Sequence, residues 1–374
     1  MKILAKIDKK IENSGTNHLP FYSGWFVYFS YESIKLWEKP LTNLKHNNQQ
    51  PLIMAFRSKS AVIVDHQENV SWVVSSNKKR LRKLKKLVNQ KGSQMTLYKN
   101  HFEVIEDDKE KYKLAVEKAK SYIVSGDVYQ VNLARKWKIK HKDKIDPASI
   151  YKLLSKHNPA PFSGLFQSKN FSIISSSPER LVKVDNMQVE TRPIAGTRPR
   201  SEDKDLDDQL INELLSNHKE QAEHVMLIDL ERNDLGRVCK VGTVAVDEFM
   251  VIESYAKVHH IVSNVIGDLK NDSSYLDVIK STFPGGTITG CPKIRCMQII
   301  DELEPAPRGV YTGSMGYISN HGRMDLNILI RTFCLQQGEL SLQAGAGVVY
   351  DSMPENEAQE SQFKAQALIN SLLS

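Results

Sequence analysis

Apolar residues recur along this chain with two different periods. Between residues 20 and 75, apolar runs at Gly24 to Tyr31, Leu52 to Phe56, Ala61 to Val64 and Ser71 to Val74 are separated by turn-forming residues, which predicts an antiparallel sheet opening the fold. From 110 to 125 the period lengthens. Tyr112, Ala115, Val116, Ala119, Tyr122 and Ile123 fall on one stripe, predicting a helix that Gly126 stops. Residues 128 to 135 return to alternation, with Tyr129, Val131 and Leu133 set against Gln130 and Asn132, a strand with one polar face. Further strands are predicted at 171–184, 187–191, 242–252, 310–319, 324–336 and 339–350, and helices at about 205–228, 275–282, 292–303 and 355–373. Strands thus come in groups between helices, the order of an α+β architecture rather than of strict βαβ alternation. The prolines and glycine of Arg192-Pro-Ile-Ala-Gly-Thr-Arg-Pro-Arg200 predict a loop.

Composition narrows the class. With 374 residues, 40% hydrophobic and 25% charged, the chain has room for a sizeable core in one large domain or two ordinary ones. No apolar run approaches the roughly 20 residues of a membrane span. The N-terminus, Met1-Lys-Ile-Leu-Ala-Lys6, is charged almost at once, so a cytoplasmic location with no membrane partner is expected. Cys239, Cys291, Cys296 and Cys334 form no CxxC pair and read as reduced thiols. A net charge of +7 admits nucleic acid, but the densest basic run, Lys78 to Lys86, has Leu81, Leu84 and Val88 at helical spacing. That is an amphipathic helix with a solvated basic face, and no nucleic-acid partner is expected.

Candidate chemistry begins at Phe283-Pro-Gly-Gly-Thr-Ile-Thr-Gly-Cys-Pro-Lys-Ile-Arg295. Its glycines let backbone approach a ligand, and free amides at the helix start beside Pro292 would face an anion. From this segment alone, a tight turn ahead of an amphipathic helix carrying Ile294, Met297, Ile300 and Leu303 is the favoured reading. Ala344-Gly-Ala-Gly347, in a chain that also holds Arg331, Glu223 and Glu360, adds weight to an enzyme that binds a small polyanion. Glu223 lies on a helix running into Val225-Met-Leu-Ile228, and Glu360 shares a helix face with Glu357 and Lys364, away from Phe363, Leu368, Ile369 and Leu372. Carboxylates from two helices, completed by water and a ligand carboxylate, suit Mg²⁺; exposed helix charge with intrahelical pairing is the other reading. Glu179, in Ser175-Ser-Ser-Pro-Glu-Arg180, sits where a proline interrupts a strand. Partly desolvated there, it would act as a general acid, or it simply pairs with Arg180. His259 and His260 point to opposite faces of a strand, so only one of them lines a site.

The ordered motifs Gly126-Asp-Val-Tyr-Gln-Val-Asn-Leu133, Ser177-Pro-Glu-Arg180, Pro193-Ile-Ala-Gly-Thr-Arg198, Asp229-Leu-Glu-Arg-Asn-Asp-Leu-Gly-Arg237, Val258-His-His260, the 283–295 turn, Tyr311-Thr-Gly-Ser-Met-Gly-Tyr317 and Gln343-Ala-Gly-Ala-Gly347 together resemble the chorismate-utilising enzyme family. It includes the large subunits of anthranilate synthase and of aminodeoxychorismate (para-aminobenzoate) synthase, and the isochorismate and salicylate synthases. The resemblance is strong over 110–374. It implies a two-sheet antiparallel β-sandwich flanked by helices, a single chorismate-binding-type domain with the site between the sheets. Residues 1–105 would form a short N-terminal sheet-forming region and 106–374 the catalytic region. It further implies that Glu223 and Glu360 hold Mg²⁺ against the ring carboxylate of chorismate, and that Glu179 is the acid for the C4 hydroxyl. Tyr311, Arg331 and the Gly345 and Gly347 amides would hold the enolpyruvyl carboxylate, with Thr287, His260 and Lys364 lining the pocket. An Arg fork for one carboxylate and a metal for the other agrees with the polyanion reading.

Two positions separate members of this family. Isochorismate and salicylate synthases carry a water-activating lysine where this chain has Gln130, and glutamine takes no proton at neutral pH. Gln130 therefore implies ammonia as nucleophile. Aminodeoxychorismate synthases typically carry a lysine that adds to C2 where this chain has Ala195, as anthranilate synthases do. Val258-His-His260, the 283–290 glycines, Gly313-Ser-Met-Gly316 and Asn158-Pro-Ala-Pro-Phe162 lean towards aminodeoxychorismate synthase, and the leucine-leucine-glutamate-serine effector motif of anthranilate synthases is not found. The resemblance thus implies Mg²⁺-dependent amination of chorismate, with ammonia from a glutamine amidotransferase partner, giving 4-amino-4-deoxychorismate for para-aminobenzoate and folate synthesis. Anthranilate synthase component I is the second reading, and a catalytically weak chorismate-binding paralogue the third. No cysteine here sits in an amidotransferase setting.

Overall fold

The computed structural model describes residues 3–11, 18–90, 102–142, 144–255 and 257–373; Met1 and Lys2, and residues 91–101 next to the expected boundary at 105, lie outside that set. Two large antiparallel sheets face each other, as the α+β sandwich reading expects. The nine-stranded sheet runs in the order Ile194–Pro199, Val258–Asp268, Gln188–Thr191, Arg180–Asp185, Arg323–Asn327, Ser314–Ser319, Gly24–Phe29, Ile53–Ser58, with Ala245–Ser254 also paired to Val258–Asp268. The seven-stranded sheet runs Gly290–Cys291, Gln130–Lys140, Glu339–Val348, Thr332–Gln336, Phe171–Ser177, Phe162–Gln167, with Glu103–Glu106 on Gln130–Lys140. The N-terminal strand Gly24–Phe29 pairs with Ser314–Ser319, so both ends of the chain build one sheet.

Alternation in Gln130–Lys140 decides what each face of the second sheet does. Trp137 and Ile139 point outward and pack with Leu340 and Leu342 against Ala365, Leu368, Ile369 and Leu372 of the helix Pro354–Leu373. Gln130, Asn132, Ala134 and Lys136 share the opposite face, directed between the sheets. Pairing of Gln343 with Lys136, Gly345 with Ala134 and Gly347 with Asn132 extends that inner face across the neighbouring strand. Phe363 departs from the apolar set expected on the last helix: it is 79% exposed, on the solvent side of the turn.

Two segments read as single strands are each divided between the sheets, and both divisions matter for the site. Residues 171–184 form Phe171–Ser177 in one sheet and Arg180–Asp185 in the other, crossing at Pro178-Glu179. Residues 324–336 form Arg323–Asn327 and Thr332–Gln336, crossing at 328–331. Hydrogen bonds lock the crossings side by side, Ile328 N donating to Glu179 O at 3.1 Å and Ser176 N to Arg331 O at 3.0 Å. Periodicity continues through such a crossing because both halves are strand, which is why alternation alone reads one long element.

Other expectations need correction. Residues 194–199 are an edge strand rather than a loop, because the prolines at 193 and 199 cost no ladder bond at a sheet edge; a bulge lies between Ala195 and Thr197. The helix expected at 205–228 is two, Lys204–Ser216 and His218–Gly236, parted at Asn217, whose side chain accepts from Glu220 N at 3.2 Å. Helix Pro147–His157 and strand Phe162–Gln167 were not expected. The basic helix Lys78–Val88 buries no residue, in accord with a solvated face, and all four cysteines are free thiols.

Candidate active site

At the strand crossing, Glu179 is only 5% exposed. Burial pushes its carboxyl up to about 7, against the opposing pull of the Thr287 hydroxyl and of the Lys364 and Arg331 charges. The Thr287 hydroxyl is beside it, yet neither Glu179 Oε1 nor Thr287 Oγ1 completes a hydrogen bond of ordinary geometry within the described residues. Arg180 does not neutralise Glu179, because its guanidinium is taken by Asp325 at 3.1 Å and Glu190 at 2.8 Å. Arg331 occupies the adjoining crossing with φ of 48°, a left-handed conformation that a non-glycine residue adopts at some cost. No carboxylate pairs with its guanidinium among the described residues, and burial lowers its hold on the proton. A carboxyl that gains or loses its proton near neutral pH and a fork-shaped cation therefore stand together between the sheets.

The inner face of the second sheet supplies the next side. Gln130 donates Nε2 to Glu223 Oε1 at 2.9 Å, joining the first residue of its strand to the helix His218–Gly236. A Cβ on Gly347 would lie 2.3 Å from Gln130 Nε2 and 3.7 Å from Glu223 Oε1, so Gly347 leaves the space into which this pair projects. Lys364 donates to Gly345 O at 3.0 Å and pairs with Glu360 at 2.7 Å, one turn earlier on its helix. Tyr311 is buried, and burial pushes its phenol further up; the Arg308 charge opposes this, and Glu304 and then Glu360 add to it. Glu223 thus lies beside Gly347, and Glu360 is linked to the same strand through Lys364, which bridges it to Gly345. Among the described residues no three metal-ligating side chains cluster, and a divalent cation at this pair would take water and substrate oxygens for the rest of its shell. That donor set fits Mg²⁺, which keeps several non-protein ligands.

His260 is buried with Nδ1 2.9 Å from Thr197 Oγ1, its pKa pushed down to about 4 chiefly by burial and next by Arg331. His259 faces away, bridging Asp207 at 2.9 Å and Ser254 at 2.8 Å as a satisfied structural residue. Ala195 is buried on the edge strand opposite Ile261, next but one to Thr197. The glycine turn packs closely against its neighbours, as the tight-turn reading expects. Gly290, at φ of 125°, lets the backbone reach Gln130, where a Cβ would lie 2.1 Å from Gln130 O, and Gly285 would meet Ile328 at 2.8 Å. Its glycines serve close packing within the protein, and Thr287 is the part of the turn that reaches Glu179.

Two buried charge clusters escaped the sequence reading. Arg308, 2% exposed, holds Glu304 at 2.7 Å, Asn132 O at 2.6 Å and Ile288 O at 3.0 Å, and its guanidinium lies 5.4 Å from the Tyr311 ring centroid. The four-residue spacing of Glu304 and Arg308 was the available signal. Lys293 pairs with Asp234 at 2.6 Å beside Glu231, whose carboxyl is pushed up by burial, then by Asp234; Glu179 adds to the same effect. Gly345→Ala tests the packing of the inner face, since its Cβ would fall 2.2 Å from the Leu133 carbonyl. It is expected to destabilise the fold by about 1–3 kcal/mol in denaturant melts and to weaken substrate binding.

Comparison with known proteins places this geometry. The family described as chorismate binding enzyme matches residues 2–370. An anthranilate synthase component I-like protein of Synechocystis is 42% identical over 369 residues, 98% of this chain and 76% of that protein. Aminodeoxychorismate synthase component 1 of Bacillus subtilis is 51% identical over 258 residues, 69% of this chain and 54% of that protein. Among solved structures, anthranilate synthase component I of Streptococcus pneumoniae superposes with a TM-score of 0.87 at 32% identity, covering 98% of this chain and 84% of that one.

Proposed function

Because the chain belongs to the chorismate-binding enzyme family, we propose that it aminates chorismate with ammonia delivered by a glutamine amidotransferase partner, forming 4-amino-4-deoxychorismate. The observation that carries the choice of ammonia is the Gln130 amide, held 2.9 Å from Glu223 at the position where a water-using member needs a base. Neither other candidate replaces such a base. His260 is engaged by Thr197 and the Gly196 backbone, and Lys364 is a donor to Glu360 and Gly345 O. Chorismate consumption should therefore depend strictly on ammonium, or on glutamine with a partner; consumption in their absence, yielding isochorismate, removes this reading.

In the proposed reaction, Arg331 and Tyr311 take the enolpyruvyl carboxylate beside the Gly345 and Gly347 backbone, while Glu223 and Glu360 face the ring carboxylate. Mg²⁺ bound there would supply the positive charge that offsets three neighbouring carboxylates. Glu179, protonated below about pH 7, gives its proton to the C4 oxygen, which leaves as water. Ala195 offers no amine, so free ammonia adds at C2 as the C4–O bond breaks. A second ammonia entering at C4 expels the first and leaves the 4-amino product.

Ala195 also favours a second reading, anthranilate formation, in which the C2 adduct loses pyruvate instead. Ala195→Lys separates the two. In a pocket built for C4 amination it is expected to raise 4-amino-4-deoxychorismate formation several-fold, read by mass of the product. Unchanged or abolished formation would point to an anthranilate-type pocket.

A further inference from the structure

The inner face of the seven-stranded sheet does not end at the proposed chorismate site. Beyond Gly345 the same face continues through Gln343 and Ser341, with Lys136 opposite Gln343 and Cys334 opposite Ser341. These residues wall a cavity of about 310 Å³, whose lining also includes His46, Gln50 and Tyr311. Its lining includes Lys136 and Arg308 and no aspartate or glutamate. Arg308 is spent on Glu304 and backbone carbonyls. Lys136 is half-buried, and among the described residues its ammonium has neither an ion pair nor a hydrogen bond. Its charge is nonetheless felt inside the cavity, where it opposes the upward push of burial on the Cys334 thiol.

We propose that this cavity is a second small-molecule site, for a compact ring carboxylate whose charge is taken by Lys136 and whose body lies among Ser341, Gln343, Gln50 and the Tyr311 ring. A half-buried ammonium with no carboxylate in the same wall selects an anion, and a charge-assisted hydrogen bond is the strongest contact on offer there. The volume admits one ring with a few polar substituents and exceeds what a simple inorganic ion needs. Asn158 to Phe162 does not line this cavity. Coupling to the proposed chorismate site runs through one physical block. Gln343 donates to Arg308 O at 2.9 Å, Arg308 packs on Tyr311, and Tyr311 borders both spaces. Occupancy should therefore change KM for chorismate more than kcat. Aminobenzoates, the end products downstream of the proposed reaction, are ring carboxylates of this size; only that choice of probe rests on the proposed function.

The test is calorimetric titration of the full chain with 4-aminobenzoate and anthranilate, with aniline as the uncharged control, repeated with chorismate present and ammonium absent. Carboxylate binding at least about tenfold tighter than aniline is expected, and it should persist at saturating chorismate, shifted only by the factor by which occupancy changes KM. Lys136→Met should weaken it by about tenfold or more while leaving ammonium-driven turnover intact, and Lys136→Arg should restore most of it. Failure of either aminobenzoate to bind at millimolar concentration, displacement by chorismate, or unchanged binding in Lys136→Met would overturn the site. Turnover is measured separately, so a protein that binds aminobenzoate but does not aminate chorismate would contradict the proposed function and leave the second site standing.

Discussion

Glu179→Gln is expected to leave chorismate bound while lowering turnover by about 10²–10⁴, the usual loss when a general acid is removed. The substitution keeps the shape and burial of the side chain, and the backbone bonds from Ile328 N to Glu179 O and from Ser176 N to Arg331 O do not depend on it, so the two strand crossings should stay locked. What disappears is a transferable proton held where the C4 oxygen would leave. The wild-type pH profile carries the same signature. Burial raises the Glu179 carboxyl to about 7, so the acid form is present below that pH and is lost as pH rises through it. Turnover should fall about tenfold per unit above pH 7, and that limb should vanish in Glu179→Gln. Loss of binding with unchanged turnover per bound substrate would make Glu179 a structural residue.

The second large effect is expected at the carboxylates proposed to hold the metal. Replacing Glu223 or Glu360 by Gln removes one charge without changing volume, so Mg²⁺ affinity and activity should each fall by about 100-fold or more, with thermal unfolding little altered. The two variants differ in their neighbours. Glu223→Gln disturbs the Gln130 contact at 2.9 Å, whereas Glu360→Gln frees Lys364, which keeps its bond to Gly345 O. Excess Mg²⁺ should partly rescue both. Full activity in Glu360→Gln with a chelator present would remove the metal assignment.

Much of this arrangement was legible in the sequence because it rests on local period. Alternation gave the polar inner face of Gln130 and Asn132, and the opposite faces of His259 and His260 followed from the same rule. The division of long strands between sheets was not legible, since Pro178 and the 328–331 segment interrupt pairing without interrupting period. That division is what brings Glu179 and Arg331 together from positions far apart in the chain. The glycine turn was ambiguous for a related reason. Glycine reports that something approaches the backbone, and only the fold shows that Gln130 approaches Gly290 and Ile328 approaches Gly285. Buried pairs such as Arg308 with Glu304 look like surface charge until the strand above them is placed.

The most direct measurement is to mix the purified chain with chorismate, Mg²⁺ and ammonium, and to identify the product by mass and fluorescence with and without ammonium. The account predicts ammonium-dependent conversion to 4-amino-4-deoxychorismate. Ammonium-independent isochorismate, or no conversion in any condition, would contradict amination itself, and anthranilate as sole product would show that Ala195 outweighs the other motif residues in setting where nitrogen ends.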